Sequence, residues 1–476
     1  MYQFAATKCM GAEAIQFERR TPERGILFKV IADNLDSYFE SQAHKGINYP
    51  GFIKQTFSAY LRCGILDYGF VRTYCNHCRS SEVVAFSCKR RGFCPSCHGK
   101  RMNEASYHLC ENVLPSAPMR QWVLSIPFEL RSMIATDPKL ISVVSNVFIR
   151  SVNRWLKQQA RKMSVTEAVP GSITFIQRFG GGLQMNPHYH SLFLDGVYDR
   201  KKDQWLFHSI REPSREDLKG ILQRIISRIK ALYEKGVFDR ETGPHDTAGN
   251  KPSSQGYIQF MGDLVEVPKG EYREFEEAGG LKVEGFSIHA KVSTLSHQTD
   301  KLERLIRYVA RGPISSERLS EKNGKIVYEM KRRWHNGADR VAFTPEGFIQ
   351  RLIALIPPAR SHLIRYHGVF APNFKYRNKI VRKPTRNDSG ETLPRSKKLL
   401  CAEMISATFK IDVTECRKCG GRMKPIAIIK DPRVAAKILT AMNISTVNLP
   451  SFGNRGPPDF ENTSKIPIED QRPEDW

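Results

Sequence analysis

No apolar run in the 476 residues approaches the roughly 18 that a membrane span requires, so no transmembrane segment is expected. The N-terminus has no basic stretch leading into an apolar core, and no secretory signal is expected either. A Gly-x₄-Gly-Lys-Ser/Thr phosphate loop is also missing, which removes the commonest apparatus for nucleotide-driven chemistry. Negative charge is in short supply. Asp and Glu number 49 against 74 Lys and Arg, leaving a net charge of +25 and a pI near 9.6. Solubility asks for far less than this, so the surplus points to a polyanionic partner, and nucleic acid is the natural one. A disulfide framework does not fit. The eleven cysteines are odd in number and cluster at Cys-x-x-Cys spacing, as metal sites in a reducing compartment do. A cytoplasmic, nucleoid-associated protein is expected. Hydrophobic residues make up 40%, enough for a globular chain of two to four domains at about 150 residues each.

The cysteines are the densest motif. Cys75-Asn-His-Cys78 and Cys94-Pro-Ser-Cys97 are separated by 15 residues, the spacing of a zinc ribbon in which each turn supplies two thiolates to a tetrahedral site. Cys75, Cys78, Cys94 and Cys97 are therefore the expected structural Zn²⁺ ligands. Cys63 and Cys88 are surplus; one of them, or His77 or His98, could replace a member of the four. Lys89, Arg90, Arg91 and Arg101 surround the block as candidate phosphate contacts for DNA. Farther on, Cys416-Arg-Lys-Cys419 is a lone knuckle. Two cysteines cannot fill a tetrahedral site, and Cys401 would add only a third thiolate.

Residues 172–198 hold the second motif. An apolar alternating run from Ile173 to Phe179 breaks at Gly180-Gly181-Gly182, and a second run passes through His188-Tyr189-His190 to Leu194. The pattern predicts a β-hairpin. Residues two apart on a strand share a face, so His188 and His190 point the same way, roughly 7 Å apart at the backbone. Two imidazoles side by side suit one divalent metal. A third ligand is expected, because two imidazoles hold a hard cation poorly. His289, on the strand predicted at 285–293, is the candidate, with Gln184 and Asn186 as alternatives. A helix begins near Asp300, where Asp300 and Glu303 have capping-box spacing. Its buried stripe is Leu302, Leu305, Ile306 and Val309. Tyr308 lies about 110° from the middle of that stripe, on its border, with Arg304 and Arg311 on the same side of the helix. A tyrosine between two guanidiniums has the makings of a nucleophile whose target phosphate is clamped by arginine.

Five stretches together resemble a known family. They are Ser87-Cys-Lys-Arg-Arg-Gly-Phe-Cys-Pro-Ser-Cys97, Trp122-Val-Leu-Ser-Ile-Pro-Phe-Glu-Leu-Arg131, Asn186-Pro-His-Tyr-His-Ser-Leu-Phe-Leu-Asp-Gly-Val-Tyr198, Arg307-Tyr-Val-Ala-Arg311 and Arg365-Tyr-His-Gly-Val-Phe-Ala-Pro-Asn373. The chain, from about residue 24 to about residue 430, is similar to the rolling-circle transposases of bacterial insertion sequences, the IS91 type and its ISCR relatives. These are HUH endonucleases, named for histidine, a bulky hydrophobic residue and histidine, and His188-Tyr189-His190 fits that pattern.

The resemblance implies an α+β chain. Its relaxase- or Rep-like catalytic domain would be an antiparallel sheet, with His188 and His190 on a central strand holding Mg²⁺ or Mn²⁺ and Tyr308 as the nucleophile. The substrates would be single-stranded DNA at transposon ends and target DNA. The two-tyrosine members carry a second tyrosine one helical turn away. Here Arg304 and Gly312 occupy those places, as in the single-tyrosine branch. The expected organisation is an N-terminal helical platform (1–62), a zinc ribbon with its following helix (63–115), the HUH domain (116–315) and an α/β extension (316–375). A basic linker (376–398), a small knuckle-bearing module (399–448) and a loose tail (449–476) complete it. Two other readings compete. His362-Leu-Ile-Arg365 imitates the His-x-x-Arg of tyrosine recombinases, although no tyrosine follows Tyr376. The chain also has the composition of a zinc-dependent DNA-binding protein that does not cut.

Overall fold

A computed structural model of the chain describes residues 21–201, 204–238, 280–331, 333, 337–359, 361–381, 415–416 and 418–444. The loop expected at 240–256, the 382–398 part of the linker, Cys401 and the tail at 449–476 lie outside the described residues.

Apolar side chains at helical spacing build α1 (Ile26–His44) and α2 (Gly51–Leu61). The chain then forms the cysteine-bearing strands β1 (Phe70–Cys75) and β2 (Ser81–Ala85), helix α3 (Pro95–Asn112) and strand β3 (Met119–Ser125). Helices α4 (Phe128–Thr136) and α5 (Pro138–Lys162) come next, the second started by Asp137, whose carboxylate accepts from the Lys139 and Leu140 N–H groups. The predicted hairpin is β4 (Gly171–Phe179) and β5 (Met185–Leu194). A two-stranded ribbon, β6 (Gly196–Lys201) and β7 (Gln204–Ser209), leads to α6 (Arg215–Glu234), which a Ser214–Asp217 capping box starts.

Strands β8 (Gly280–Val283), β9 (Phe286–His289) and β10 (Ser293–Thr294) precede the tyrosine helix α7 (Thr299–Ala310). The expected Asp300–Glu303 capping box is not made at α7. The helix starts one residue earlier, with no side-chain cap, and Glu303 instead accepts from Arg307 Nη2 at 2.6 Å. A three-stranded sheet of β11 (Leu319–Lys322), β12 (Lys325–Glu329) and β13 (Arg340–Phe343) leads into α8 (Pro345–Leu355). Strand β14 (Ile364–Gly368), the short α9 (Arg377–Ile380), β15 (Met423–Ile429) and α10 (Pro432–Ala441) complete the described chain.

The fold is α+β, and its main sheet runs β14-β4-β5-β3-β9-β8 with β10 beside β3, every pairing antiparallel. Alternation along the strands gives it two apolar faces. On the back, Trp122, Leu124, Ile176, Tyr189, Phe193 and Ile288 pack under α5 and α6. On the front, Met119, Ile173, Phe175, Leu192 and Leu194 pack under α3 and α7. A third core joins α1 and α2 to β11–β13 and α8, through Phe57, Tyr328, Phe343 and Phe348 among others.

Two placements depart from the expected organisation. The edge strand β14 belongs to the main sheet although it lies beyond residue 315, because Ile364–Gly368 pairs with Gly171–Phe175. The C-terminal strand β15 adds to the far edge of the β1–β2 pair, Cys75 opposite Met423. The knuckle-bearing segment is thus one unit with the first cysteines.

Candidate active site and cysteine clusters

The strand register places a polar patch within the front face. Across β5, His188 stands opposite Ser125 and Gln177, and His190 opposite Val123 and Phe175. The two imidazoles lie together, 4.8 Å between ring centroids, so the two-residue spacing does put them on one face. Burial lowers both pKa values, that of His188 to about 4, and each is a neutral ring at pH 7. His188 Nδ1–H donates to the Asn186 carbonyl at 2.7 Å, which leaves Nε2 bare. The Gln121 side-chain amide lies 2.8 Å from His190 Nδ1.

Helix α7 brings Tyr308 over this pair. Its ring meets His190 edge-on at 5.9 Å between centroids, and it stays 44% exposed, open to a substrate. The Arg311 guanidinium sits over the same ring, 4.7 Å from its centroid, while its Nε is buried without a partner. Gln177 ties the helix down, its Nε2 donating to the Val309 carbonyl at 2.7 Å. Gln177 Oε1 and Asn186 Oδ1, both on the histidine face, are buried with no hydrogen-bond partner. A buried carbonyl oxygen left this way costs about 1–3 kcal/mol, and such a cost at two neighbouring positions calls for an explanation.

Tyr308 and Arg311 line a cavity of about 890 Å³. Its other walls are the first turn of α3 (Pro95, Ser96), the turn Phe179–Gly181, and Arg318, Lys331 and Arg333. Burial and the nearby Arg311 and Arg318 charges lower the Lys331 pKa, so this wall is cationic and self-repelling until an anion arrives. Gly312 also borders the cavity. A Cβ there would sit 2.6 Å from both Cβ and Cγ of His98 on α3, which is why a second tyrosine one turn after Tyr308 has no room.

Other sequence candidates fall elsewhere. His289 shares the face of His190, but Val123 stands between them in the register, which puts the two roughly 10 Å apart at the backbone. Gln184 Oε1 is committed to the Gly182 N–H at 2.9 Å. Arg304 is exposed on α7 and does not line the cavity. Arg101 spends its guanidinium on the Lys89 and Arg90 carbonyls, and Arg91 donates to the Ser361 carbonyl, so both arginines brace the cysteine loop. Arg365 of the recombinase-like His362–Arg365 pair turns to Ser142 on α5, behind the sheet.

The cysteines sort into two tetrads rather than the expected single one. Cys63, Cys88, Cys94 and Cys97 form the first, and Cys75, Cys78, Cys416 and Cys419 the second. Cys75–Cys78 and Cys94–Cys97 therefore do not share a site. Sγ–Sγ contacts of 3.3–3.8 Å occur in the first and of 3.4–3.6 Å in the second, and within each set all four Sγ atoms lie within 4.8 Å of one another. A zinc–sulfur bond of about 2.3 Å implies tetrahedral edges of roughly 3.8 Å, so both sets fit Zn²⁺. Tight turns follow the cysteines, with Arg79, Lys89 and Gly420 at φ of 59°, 51° and 70°. Among the described residues these tetrads are the groups of three or more His, Cys, Asp or Glu that could hold a metal, and the histidine pair is in neither. Nor is any described helix long and apolar enough to cross a membrane.

Sequence comparison bears on the same two regions. A family model described as "Putative transposase" (Y2_Tnp) matches residues 171–378, from β4 past Tyr308 to α9. A second, the transposase zinc-binding domain of IS91 (Zn_Tnp_IS91), matches residues 31–126 and includes the first tetrad and Cys75–Cys78. No curated protein and no solved structure matches the chain. With the tyrosine and histidine cluster inside one match and the structural zinc cysteines inside the other, the chain belongs to the IS91-type transposases, with their zinc-binding domain on its N-terminal side.

Proposed function

We propose that the chain is a rolling-circle transposase of the HUH class, which nicks and rejoins single-stranded DNA through Tyr308. The observation that carries this reading is that Tyr308 and Arg311, which line an open cationic cleft, meet the buried histidine pair beneath it. Tyr308 lies edge-on to His190, His190 is packed against His188, and Arg311 lies over the phenol ring. The Tyr308 oxygen attacks the scissile phosphorus in line, and its proton is lost as the O–P bond forms. The bond to the 3′ oxygen breaks and that oxygen takes a proton. The products are a 5′-phosphotyrosine and a free 3′-OH, and attack by a 3′-OH reverses the step without ATP. Arg311 and the Arg318–Lys331–Arg333 wall hold the strand and offset the charge that develops on phosphate. With one tyrosine in reach, the two cuts of a transposition cycle use the same residue in turn.

The donor set fits a Mg²⁺ or Mn²⁺ ion. Both imidazoles are neutral, and Gln177 Oε1 and Asn186 Oδ1 offer buried, unspent carbonyl oxygens, the hard donors that such cations take. His188, His190 and Gln177 are the ligands we assign, with Asn186 next and His289 set apart. Ligation through His190 Nε2 calls for Gln121 to turn its amide oxygen to Nδ1–H, the usual outer support of a ligating histidine. Bound there, the ion would polarise and orient the scissile phosphate. The substrates are transposon-end single strands and target DNA, in the cytoplasm at the nucleoid.

Incubation with a labelled single-stranded end oligonucleotide and Mn²⁺ tests this. Wild-type protein forms a covalent adduct that survives a denaturing gel, while Tyr308→Phe forms none and binds the strand within about twofold. His188→Ala with His190→Ala loses metal-dependent nicking, and Gln177→Met weakens Mn²⁺ binding measured calorimetrically in the Tyr308→Phe background. An adduct from Tyr308→Phe, or undiminished nicking by the histidine double variant, refutes the assignment. No adduct under any condition leaves a zinc-bearing DNA binder.

A further inference from the structure

Behind the main sheet, α5 and α6 enclose a groove of about 500 Å³. Trp155 borders it and packs edge-on against Trp122 of the back face, so the groove and the Tyr308 cleft lie on opposite sides of the sheet. Arg161, Lys162 and Arg224 line the groove, and Arg154 lies close enough to Arg224 for their charges to oppose each other. The one carboxylate lining it, Asp217, is already spent. It accepts from Arg211 Nη1 at 2.6 Å and from the Ser214 N–H at 2.9 Å. Among the described residues, Arg154, Arg161, Lys162 and Arg224 form no ion pair.

Two basic residues in the last turn of α5 would balance its dipole. That account does not cover Arg224, in the middle of α6, or Arg154, two turns from the end of α5. Gly220 adds a separate observation. A glycine inside a helix costs about 1 kcal/mol relative to alanine. A Cβ at Gly220 would meet nothing within 4 Å, so no neighbour demands its absence. What the bare backbone does is keep the rim of a cationic groove low enough for a bulky ligand to approach.

We propose that the α5–α6 groove is a second nucleic-acid site, which grips the sugar–phosphate backbone of a DNA segment other than the strand in the Tyr308 cleft. A strand in the cleft cannot reach it without passing round the sheet edge. A protein that joins one DNA to another has to hold both. The site does not depend on the identity of the nucleophile.

The test uses full-length Tyr308→Phe protein saturated with unlabelled single-stranded end oligonucleotide, to which a short fluorescent duplex of unrelated sequence is added. The duplex binds, and Arg161→Gln with Arg224→Gln weakens it at least tenfold while lowering the log–log salt slope by about 2. Gly220→Leu, which fills the groove without changing charge and favours the helix, weakens it as well. Neither change alters binding of the end oligonucleotide or, with Tyr308 restored, adduct formation. A labelled single strand that binds there in place of the duplex supports the site and identifies the strand form it takes. Failure of the saturated protein to bind any second DNA, or unchanged affinity and salt slope in the double variant, overturns the proposal. Adduct formation is scored separately, so a wrong nucleophile and an idle groove give different results.

Discussion

Replacing Cys416 and Cys419 together by serine separates a single ribbon from two metal clusters. A ribbon built on Cys75, Cys78, Cys94 and Cys97 ignores that change, whereas the second tetrad loses half its ligands. A structural zinc site supplies roughly 10–16 kcal/mol. Without it, residues 418–444 are held by the β1–β15 ladder and by Met423, Ala435 and Leu439, the buried apolar side chains of that segment. The two larger ones contribute about 1.5–3 kcal/mol each on full burial, so the metal is the dominant fastening. Zinc analysis of the purified protein gives two ions per chain for the wild type and one for the Cys416→Ser/Cys419→Ser variant. Amide exchange in Met423–Ile429 rises towards unprotected rates, while Gly171–Phe179 and Met185–Leu194 in the main sheet keep their protection. Two zinc ions in the variant, one in the wild type, or unchanged exchange across Met423–Ile429 would show that the second tetrad does not hold metal.

Gly312→Ala forces a Cβ to within 2.6 Å of His98. It should destabilise the protein by about 1–3 kcal/mol in thermal unfolding and slow adduct formation more than strand binding, because it displaces Arg311. His367, held at about 4 by burial and then Arg365, predicts a pH effect. Between about 6.5 and 4 the unfolded chain takes up a proton that the folded one refuses, so stability present above pH 6.5 is lost as pH falls, by at most about 3 kcal/mol. His367→Gln should flatten that part of a denaturation series relative to wild type, and an unaltered slope would remove His367 as the cause.

Local periodicity made much of the candidate site's geometry legible. His188 and His190 follow from strand alternation, and Tyr308 from its angle on the helical stripe. Gln177 did not show, because the register of the hairpin shifts between Gln177 and Phe179. Counting back from the glycine turn therefore does not pair it with His188. The cavity wall was equally hidden. Arg318, Lys331 and Arg333 lie beyond the tyrosine helix in a segment with no motif, and only the fold of β11–β13 brings them to Tyr308. The cysteine spacing misled for a related reason. A Cys-x-x-Cys pair carries no signal for which partner it meets, and Cys75 meets Cys419 across 344 positions.

That separation has a consequence for biosynthesis. The first tetrad has all four thiols once residue 97 has emerged, but Cys75 and Cys78 wait for Cys419. At about 5–20 residues per second the delay is roughly 20–70 s. Throughout that time the growing chain carries a half-formed, zinc-hungry pair of thiols.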